Sequence, residues 1–391
     1  MLPGGGIYFT RSADMAGRGV LPGFIQSAQG CRVTDVDGRS YIDFLCANGP
    51  NILGYNHPEV EAAVRAQMAQ LTSGSLFPPT LVQIVEKLVD RTPGMSWGVV
   101  SKNGSEVVSL AVRVSRQHTQ RPLAVAFTQA YHGNDPELAS SPRPGVLTDR
   151  TRDVLRTPWN DAQALDELMH QQGDQVAAII LNPLDQNPRQ RTREANPDFI
   201  EAIERARTTH GAMLVFDDVR HGFRLHPTGS FKLLGMEPDL TTFGKALGNG
   251  HAISAVLGAE HLRKAARRIL YTSTYMFEAP PMAAAMKMLE IYDRDDVFER
   301  ISRAGLRLKE GLLAAAESVG VQISYTGPDT MPTLLFEEDV DGTLQQRFSR
   351  AAAELGAIFH PALNWNLSAA HGDADVDEAI EIAVEAFRRV S

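Results

Sequence analysis

Cysteine is scarce in this chain. Cys31 and Cys46 are the two present, too few for a disulfide framework, and they fit a reducing compartment, so a cytoplasmic location is expected. No apolar run reaches the length that spans a membrane. The opening Met1-Leu2-Pro3-Gly4-Gly5-Gly6 lacks the basic-then-apolar order of a signal peptide. A basic excess is missing too. Lys and Arg number 38 against 47 Asp and Glu, the net charge is -9, and no basic run interrupts it, so nucleic acid is not an expected partner. There is no tandem repeat and no low-complexity tract, and no metal site is expected. What remains is an ordinary globular composition. With 391 residues, 43% of them hydrophobic, the chain has material for a large core.

Residues 1–30 are rich in Gly and Pro and read as an extended arm. Cys31 to Phe44 forms two alternating runs around Asp37-Gly38, the signature of a β-hairpin. Helices are expected from His57 to Ala69 and from Pro79 to Val89. From about 97 to 260 the pattern becomes strand, turn, helix, repeated. Strands are expected at Val99-Val100, Leu123–Phe127, Val176–Leu181, Ala212–Phe216, the run before Lys245, and Ile253–Gly258. Helices are expected after Asn103, over Ala162–His170 and over Pro197–His210, with residues 134–160 as loop. Such alternation implies an α/β fold with a mainly parallel sheet covered on both faces. Helices are then expected over Pro281–Tyr292, Val297–Val319, 343–355 and 375–389, with short strands at Val321–Tyr325, Thr333–Phe336 and Asn366–Ala369. The expected domains are an N-terminal arm and hairpin over 1–47, a large domain over 48–285 and a C-terminal α+β part over 286–391. The two terminal pieces together make the smaller domain.

The chemistry centres on Asp239 to Gly250, an apolar and β-branched strand that runs to Lys245 in a glycine-rich loop. A lysine in a desolvated pocket has a lowered pKa and becomes a nucleophilic amine. Alone, Lys245 reads as a surface residue on a turn. Asn103-Gly104-Ser105-Glu106 precedes a helix, where free amides and the helix dipole make an anion site, although a plain helix cap reads the same way. Asp217 ends an apolar strand, where a buried carboxylate needs a cation or serves as a cap. Tyr131 follows a strand and offers a ring for stacking, or simply covers the sheet end. In parallel sheets ligands sit at the carboxyl ends of the strands, and all four features fall there. An anion cradle, a stacking ring, a carboxylate and a lysine are together what pyridoxal phosphate (PLP) requires.

These motifs resemble the class III PLP-dependent aminotransferases of fold type I over nearly the whole chain. Arg32–Ile52 is similar to the family's N-terminal hairpin and Gly-Pro segment, Gly104-Ser105-Glu106 to its phosphate turn and Tyr131-His132-Gly133 to its ring-stacking motif. Phe216-Asp217-Asp218-Val219 with Gly222-Phe223-Arg224 resembles its Asp-Glu-Val motif, and Gly244-Lys245 its Schiff-base lysine. The resemblance implies a seven-stranded, mainly parallel sheet and a role for each residue. Lys245 would hold the cofactor aldehyde and shuttle the proton. Asp217 would pair with the pyridine nitrogen, Tyr131 and Val219 would enclose the ring, and Gly104 and Ser105 would bind the phosphate. Thr274 looks like the threonine that reaches the phosphate of a neighbouring subunit, which implies a homodimer with shared sites, although it also reads as a loop threonine.

Within the family, Leu367 to His371 and Pro3-Gly4-Gly5 resemble the glutamate-1-semialdehyde aminomutase branch. Other stretches, among them Gly49–Tyr55 and Asp217–Arg220, are closer to fumonisin-type amine:pyruvate aminotransferases. Asn182-Pro183 stands where many relatives have Glu-Pro, and Asp218 stands for the second acid. Asn48 stands where relatives often have an aromatic residue. Asn48 and Trp365 are the candidates for substrate contact. No arginine matches the one that many relatives use against a substrate carboxylate. His360–Trp365 carries none, while Arg189, Arg191 and Arg193 lie on another loop. The expected activity is transfer of an amino group from a bulky or long-chain amine to a 2-oxo acid such as pyruvate. An intramolecular amino shift is the alternative, and a catalytically inactive binding homologue a third reading.

Overall fold

Val176–Leu181 is apolar at every position and buried at every position. A strand of that kind needs cover on both faces, and the period of two shows how it is supplied. Ala178 and Ile180 join a cluster with Val215, Val256 and the helical residues Val107, Ala111 and Val114. Ile179 and Leu181 join the opposite cluster, with Leu214, Phe216 and the helical residues Phe199, Ile203 and Leu165. The computed structural model of the chain describes residues 16–139, 144–147, 149, 151–187, 189–337 and 339–390.

The sheet between these clusters has seven strands. Their order is Trp97–Ser101, Ser254–Gly258, Leu240–Phe243, Met213–Asp217, Val176–Leu181, Leu123–Phe127, Val154–Thr157. Ser254–Gly258 runs antiparallel to both its neighbours, and the other pairings are parallel. The expected α/β fold with a mainly parallel sheet is therefore what forms. The helix Gly104–Thr119 starts in a capping box between Asn103 and Glu106. The Glu106 carboxylate accepts from the Asn103 and Lys102 amides at 3.0 and 3.1 Å. That fixes the turn out of strand Trp97–Ser101 and aims the first helical amides outward.

By its internal contacts the chain divides into two compact units. One comprises Met1–Glu61, Gln186–Arg193 and Glu290–Ser391, the other Ala62–Asp185 and Glu194–Leu289. The seven-stranded sheet belongs to the second. In the first, the hairpin strands Arg32–Asp35 and Ser40–Asp43 sit in a four-stranded sheet, flanked by Ile25–Gln29 and by Ala357–Ile358. Ala357 and Ile358 pair in parallel with Ile42 and Asp43.

Two expectations are corrected. Residues 134–160 are not all loop, because Val154–Thr157 is an edge strand parallel to Leu123–Phe127. Its Arg156 hides the pattern. The guanidinium donates to the carbonyls of Leu138 and Ala139 at 2.8 and 3.0 Å instead of facing water. Asn366–Ala369 forms no strand. The amides of Asn366, Leu367 and Ala369 donate to Phe44, Thr330 and Ile52, carbonyls on three different segments. The Pro3-Gly4-Gly5 start lies outside the described residues.

Candidate active site

The carboxyl ends of the parallel strands gather the expected residues within one unit. Strand Met213–Asp217 delivers Asp217, which is buried. Its Oδ2 lies 2.7 Å from His132 Nδ1. A charged carboxylate only accepts, so His132 carries its proton on Nδ1. Oδ1 accepts from the Val219 amide at 3.2 Å and the Thr242 hydroxyl at 3.4 Å. The Asp217 carbonyl accepts from Asn182 Nδ2 at 3.3 Å. Burial works against charge on Asp217. The His132 hydrogen bond and charge, with the Val219 amide and the Lys245 charge, outweigh it and hold the carboxyl below its ordinary range. Two carboxylate oxygens offer about four acceptor positions, so a ring N–H still finds room.

Lys245 lies two residues past the end of strand Leu240–Phe243, so the strand stops short of the lysine itself. It adopts φ 42°, the left-handed region, and opens a short 3-10 turn to Gly248. Side chains rarely tolerate that geometry, and it recurs where a site needs a residue held in place. The left-handed positions of the loop are Lys245, Asn249 and Gly250. Gly244 and Gly248 supply space instead, since added methyls would meet Val219 Cγ1 at 3.2 Å and Ile253 Cγ2 at 2.8 Å. Burial lowers the Lys245 pKa to about 8, Arg220 pushes the same way and Asp217 opposes. The amine form is therefore accessible near neutral pH.

The cradle is equally close-fitting. A methyl on Gly104 would stand 2.5 Å from Val219 Cγ1. Gly133, at φ +107°, brings its Cα against Ser105, whose Oγ accepts from the Asn134 amide at 2.8 Å. The helix start is thus tied to the Tyr131-His132-Gly133 loop. Tyr131 is 59% exposed. Asp218 is fully buried, accepts from the Ser230 amide at 2.7 Å and is raised to about 7, mainly by burial, with Asp217 adding to it.

Gly104, Ser105, Tyr131, Asp217, Val219 and Lys245 all fall in this unit. Thr274 is exposed on the turn before the helix Ala279–Arg294, and no hydrogen bond ties it to the cradle of its own chain among the described residues. Asn48 and Trp365 belong to the other unit. Asn48 is left-handed at φ 71°, within a run from Cys46 to Gly49 that is left-handed throughout. Trp365 is buried and donates to the His360 carbonyl at 3.0 Å. Sequence reasoning assigned no role to His132, although a histidine next to a stacking tyrosine at a strand end is a signal for a neighbouring carboxylate. It also passed over Thr242, whose hydroxyl donates to Asp217. The residues present fit PLP: a small-residue cradle at a helix start, a buried carboxylate kept charged, and a lysine near its amine form.

The comparisons agree with this geometry. The family model for class III aminotransferases matches residues 15–370. The chain is 36% identical to an aminopentol aminotransferase of Sphingopyxis macrogoltabida, over 95% of this chain and 87% of the relative. It is 32% identical to a glutamate-1-semialdehyde 2,1-aminomutase of Symbiobacterium thermophilum, over 97% and 93%. The solved FumI protein of Sphingopyxis sp. MTA144, with PLP, superposes at a TM-score of 0.91 and 34% identity, covering 97% of this chain and 96% of that one. On its matched length, its fold and its site, the chain belongs to the class III aminotransferases.

Proposed function

We propose that the protein is a PLP-dependent transaminase that moves an amino group from a bulky or long-chain amine to a 2-oxo acid such as pyruvate. The observation that carries this is the pairing of Lys245, near its amine form, with an Asp217 kept charged by His132. Bound PLP supplies a ring that withdraws electrons and acidifies the substrate Cα–H. The protein does the rest. Asp217 holds a proton on the ring nitrogen, and His132 holds Asp217 in the charged form. Lys245 Nζ would hold the cofactor aldehyde, and its amine would be the group that moves the proton between substrate Cα and C4′. Ser105 and the amides at the start of Gly104–Thr119 would take the phosphate, and Val219 and Tyr131 would enclose the ring. Asn48 and Trp365 are assigned to substrate on the resemblance.

The amine donor and pyruvate-like acceptor follow the relatives with the greater identity, since 36% exceeds the 32% to the aminomutase. A homodimer with shared sites is part of the same reading. Leu76 and Tyr275 are 85% and 64% exposed. Phe77, also exposed, stacks edge-on against Phe277 at 4.7 Å. The Thr72 carbonyl accepts from the Ala279 amide at 2.9 Å, tying the two segments together. An apolar surface of this kind beside Thr274 suits a second copy. No described helix is long and apolar enough to cross a membrane, and we place the enzyme in the cytoplasm on its two buried free cysteines.

The test is a half-reaction. Single amines are added to the yellow holoenzyme without keto acid. Bleaching by a bulky amine, reversed by pyruvate, is the expected result. Product formed from an amino aldehyde with no keto acid present would replace the transaminase by an aminomutase.

A further inference from the structure

The unit that carries the hairpin holds a cavity of about 190 Å³, and its lining is drawn entirely from that unit. Leu53, Ile291 and Val297 give it an apolar wall, while His57, Asp295 and Arg300 supply polar groups. His57 stands just before the helix Pro58–Gln70. Asp295 lies between the helices Ala279–Arg294 and Val297–Ser318, and Arg300 on the first turn of the second. A dry cavity of about 150 Å³ can hold benzene, so there is room here for a ligand of roughly six to eight heavy atoms.

The two charged residues on the wall differ in what they have left to offer. Asp295 is engaged, since its oxygens accept from Arg294 Nε and Nη2 at 2.7 and 2.9 Å. Arg294 also holds both oxygens of Glu59, each at 2.8 Å. Arg300 is exposed and joins no ion pair among the described residues. Its Nη2 donates to the Ala369 carbonyl at 2.9 Å, which orients the guanidinium. Its Nε and Nη1 have no acceptor among the described residues. The spare hydrogen-bonding capacity of the wall is therefore that of a donor-rich cation.

His57 adds to it. Burial lowers its pKa against the pull of Glu59 and Asp295, with Arg294 and Arg300 acting the same way as burial, so the ring is neutral at pH 7. Its Nδ1 is closed off from solvent without a partner, which leaves Nε2 as the nitrogen that a ligand can reach. An unpaired buried N–H is rarer than an unpaired acceptor. That puts the proton on Nε2, ready to be donated. Arginine's fork and an imidazole N–H suit a carboxylate, and the apolar wall suits a short hydrocarbon chain. A phosphate dianion would leave that wall unused and would meet the Asp295 charge.

We propose that this cavity binds a short-chain monocarboxylate of about four or five carbons, held by Arg300 and His57. The site is built wholly outside the unit that holds the PLP residues, and it does not depend on the transaminase reading.

The experiment titrates sodium butanoate into PLP-loaded protein in a calorimeter, in wild-type form and as Arg300→Gln and Arg300→Lys. The absorbance of the bound cofactor is followed in parallel, so that butanoate binding beside PLP is seen separately. Butanoate should bind the wild type in a step that leaves that band unmoved. Losing the charged partner should weaken this step by about tenfold to a hundredfold in Arg300→Gln, and Arg300→Lys should keep part of it. Butanamide, the uncharged counterpart, and inorganic phosphate should each bind at least about tenfold more weakly than butanoate. In hydrogen exchange, butanoate should slow the amides around Arg300 in the wild type and not in Arg300→Gln. No such step at millimolar butanoate would overturn the proposal. So would equal binding by wild type and Arg300→Gln, or phosphate held as tightly as butanoate. Should Arg300→Gln not fold, hydrogen exchange in the wild type decides. Protection at residues 53–58 and 291–300 supports the site, and protection confined to the PLP-binding unit overturns it. Whether an amine bleaches the cofactor tests the transaminase reading alone and leaves this result untouched.

Discussion

The most consequential residue that a motif search passes over is His132. It is buried, it sits 2.7 Å from Asp217, and no other group holds that carboxylate below its ordinary range so strongly. Removing it as His132→Phe should raise the Asp217 pKa. The sign follows: a carboxyl with a higher pKa protonates at a higher pH, so the acid limb of the kcat/KM profile should move upward. A limb that stays in place would mean that the Val219 amide and Thr242 suffice. Asp218 behaves in the opposite sense. Burial raises it from 3.8 to about 7, so the folded state holds its proton more tightly than the unfolded chain does. That contribution to stability is complete below the unfolded value and lost as pH rises through about 7. Asp218→Asn cannot ionise. It should be more stable than wild type at alkaline pH, by up to roughly 4 kcal/mol, with little gain near pH 3, below the unfolded value. Thermal midpoints at the two pH values measure this, and a gap that does not change with pH would show that Asp218 does not titrate.

At the scale of elements, the decisive object is the start of the helix Gly104–Thr119. Alanine has a better helix propensity than glycine by about 1 kcal/mol, so Gly104→Ala should leave the helix intact. Its methyl would nevertheless lie 2.5 Å from Val219 Cγ1 and push that side chain out of place. PLP affinity should fall by about tenfold or more while the far-ultraviolet circular dichroism is unchanged. Unaltered affinity would place the cofactor away from Val219. The strands Leu123–Phe127, Val176–Leu181 and Met213–Asp217 were legible because they are apolar runs between turn signals, and the alternation of clusters on the two faces follows from their period of two. Val154–Thr157 was not, because Arg156 spends its charge on loop carbonyls that no sequence pattern reveals. Likewise Asp217 and Lys245 were legible as strand-end polar residues. The His132 contact was not, since it spans 85 residues of chain.

For the whole molecule, exposed Phe77, packed edge-on against the half-buried Phe277, and its exposed neighbours Leu76 and Tyr275 predict self-association. Phe77→Asp places a charge in that apolar surface, and the mass measured by light scattering should fall from that of a dimer towards 42.7 kDa. If Thr274 serves the neighbouring site, PLP retention should fall with it. A dimer that survives the charge would put the interface elsewhere.

The parallel pairing of Ile42 and Asp43 with Ala357 and Ile358 also sets an order of events during synthesis. About 315 residues separate Ile42 from its partner, which at ordinary elongation rates is an interval of roughly 15–60 s. Throughout that time the hairpin Arg32–Asp43 lacks the strand that completes its edge, and an unpaired edge invites the wrong neighbour. Every strand of the cofactor-bearing sheet leaves the ribosome within the same interval. The lysine's sheet therefore has the chance to form first, and the oldest part of the chain is among the last to reach its native partners.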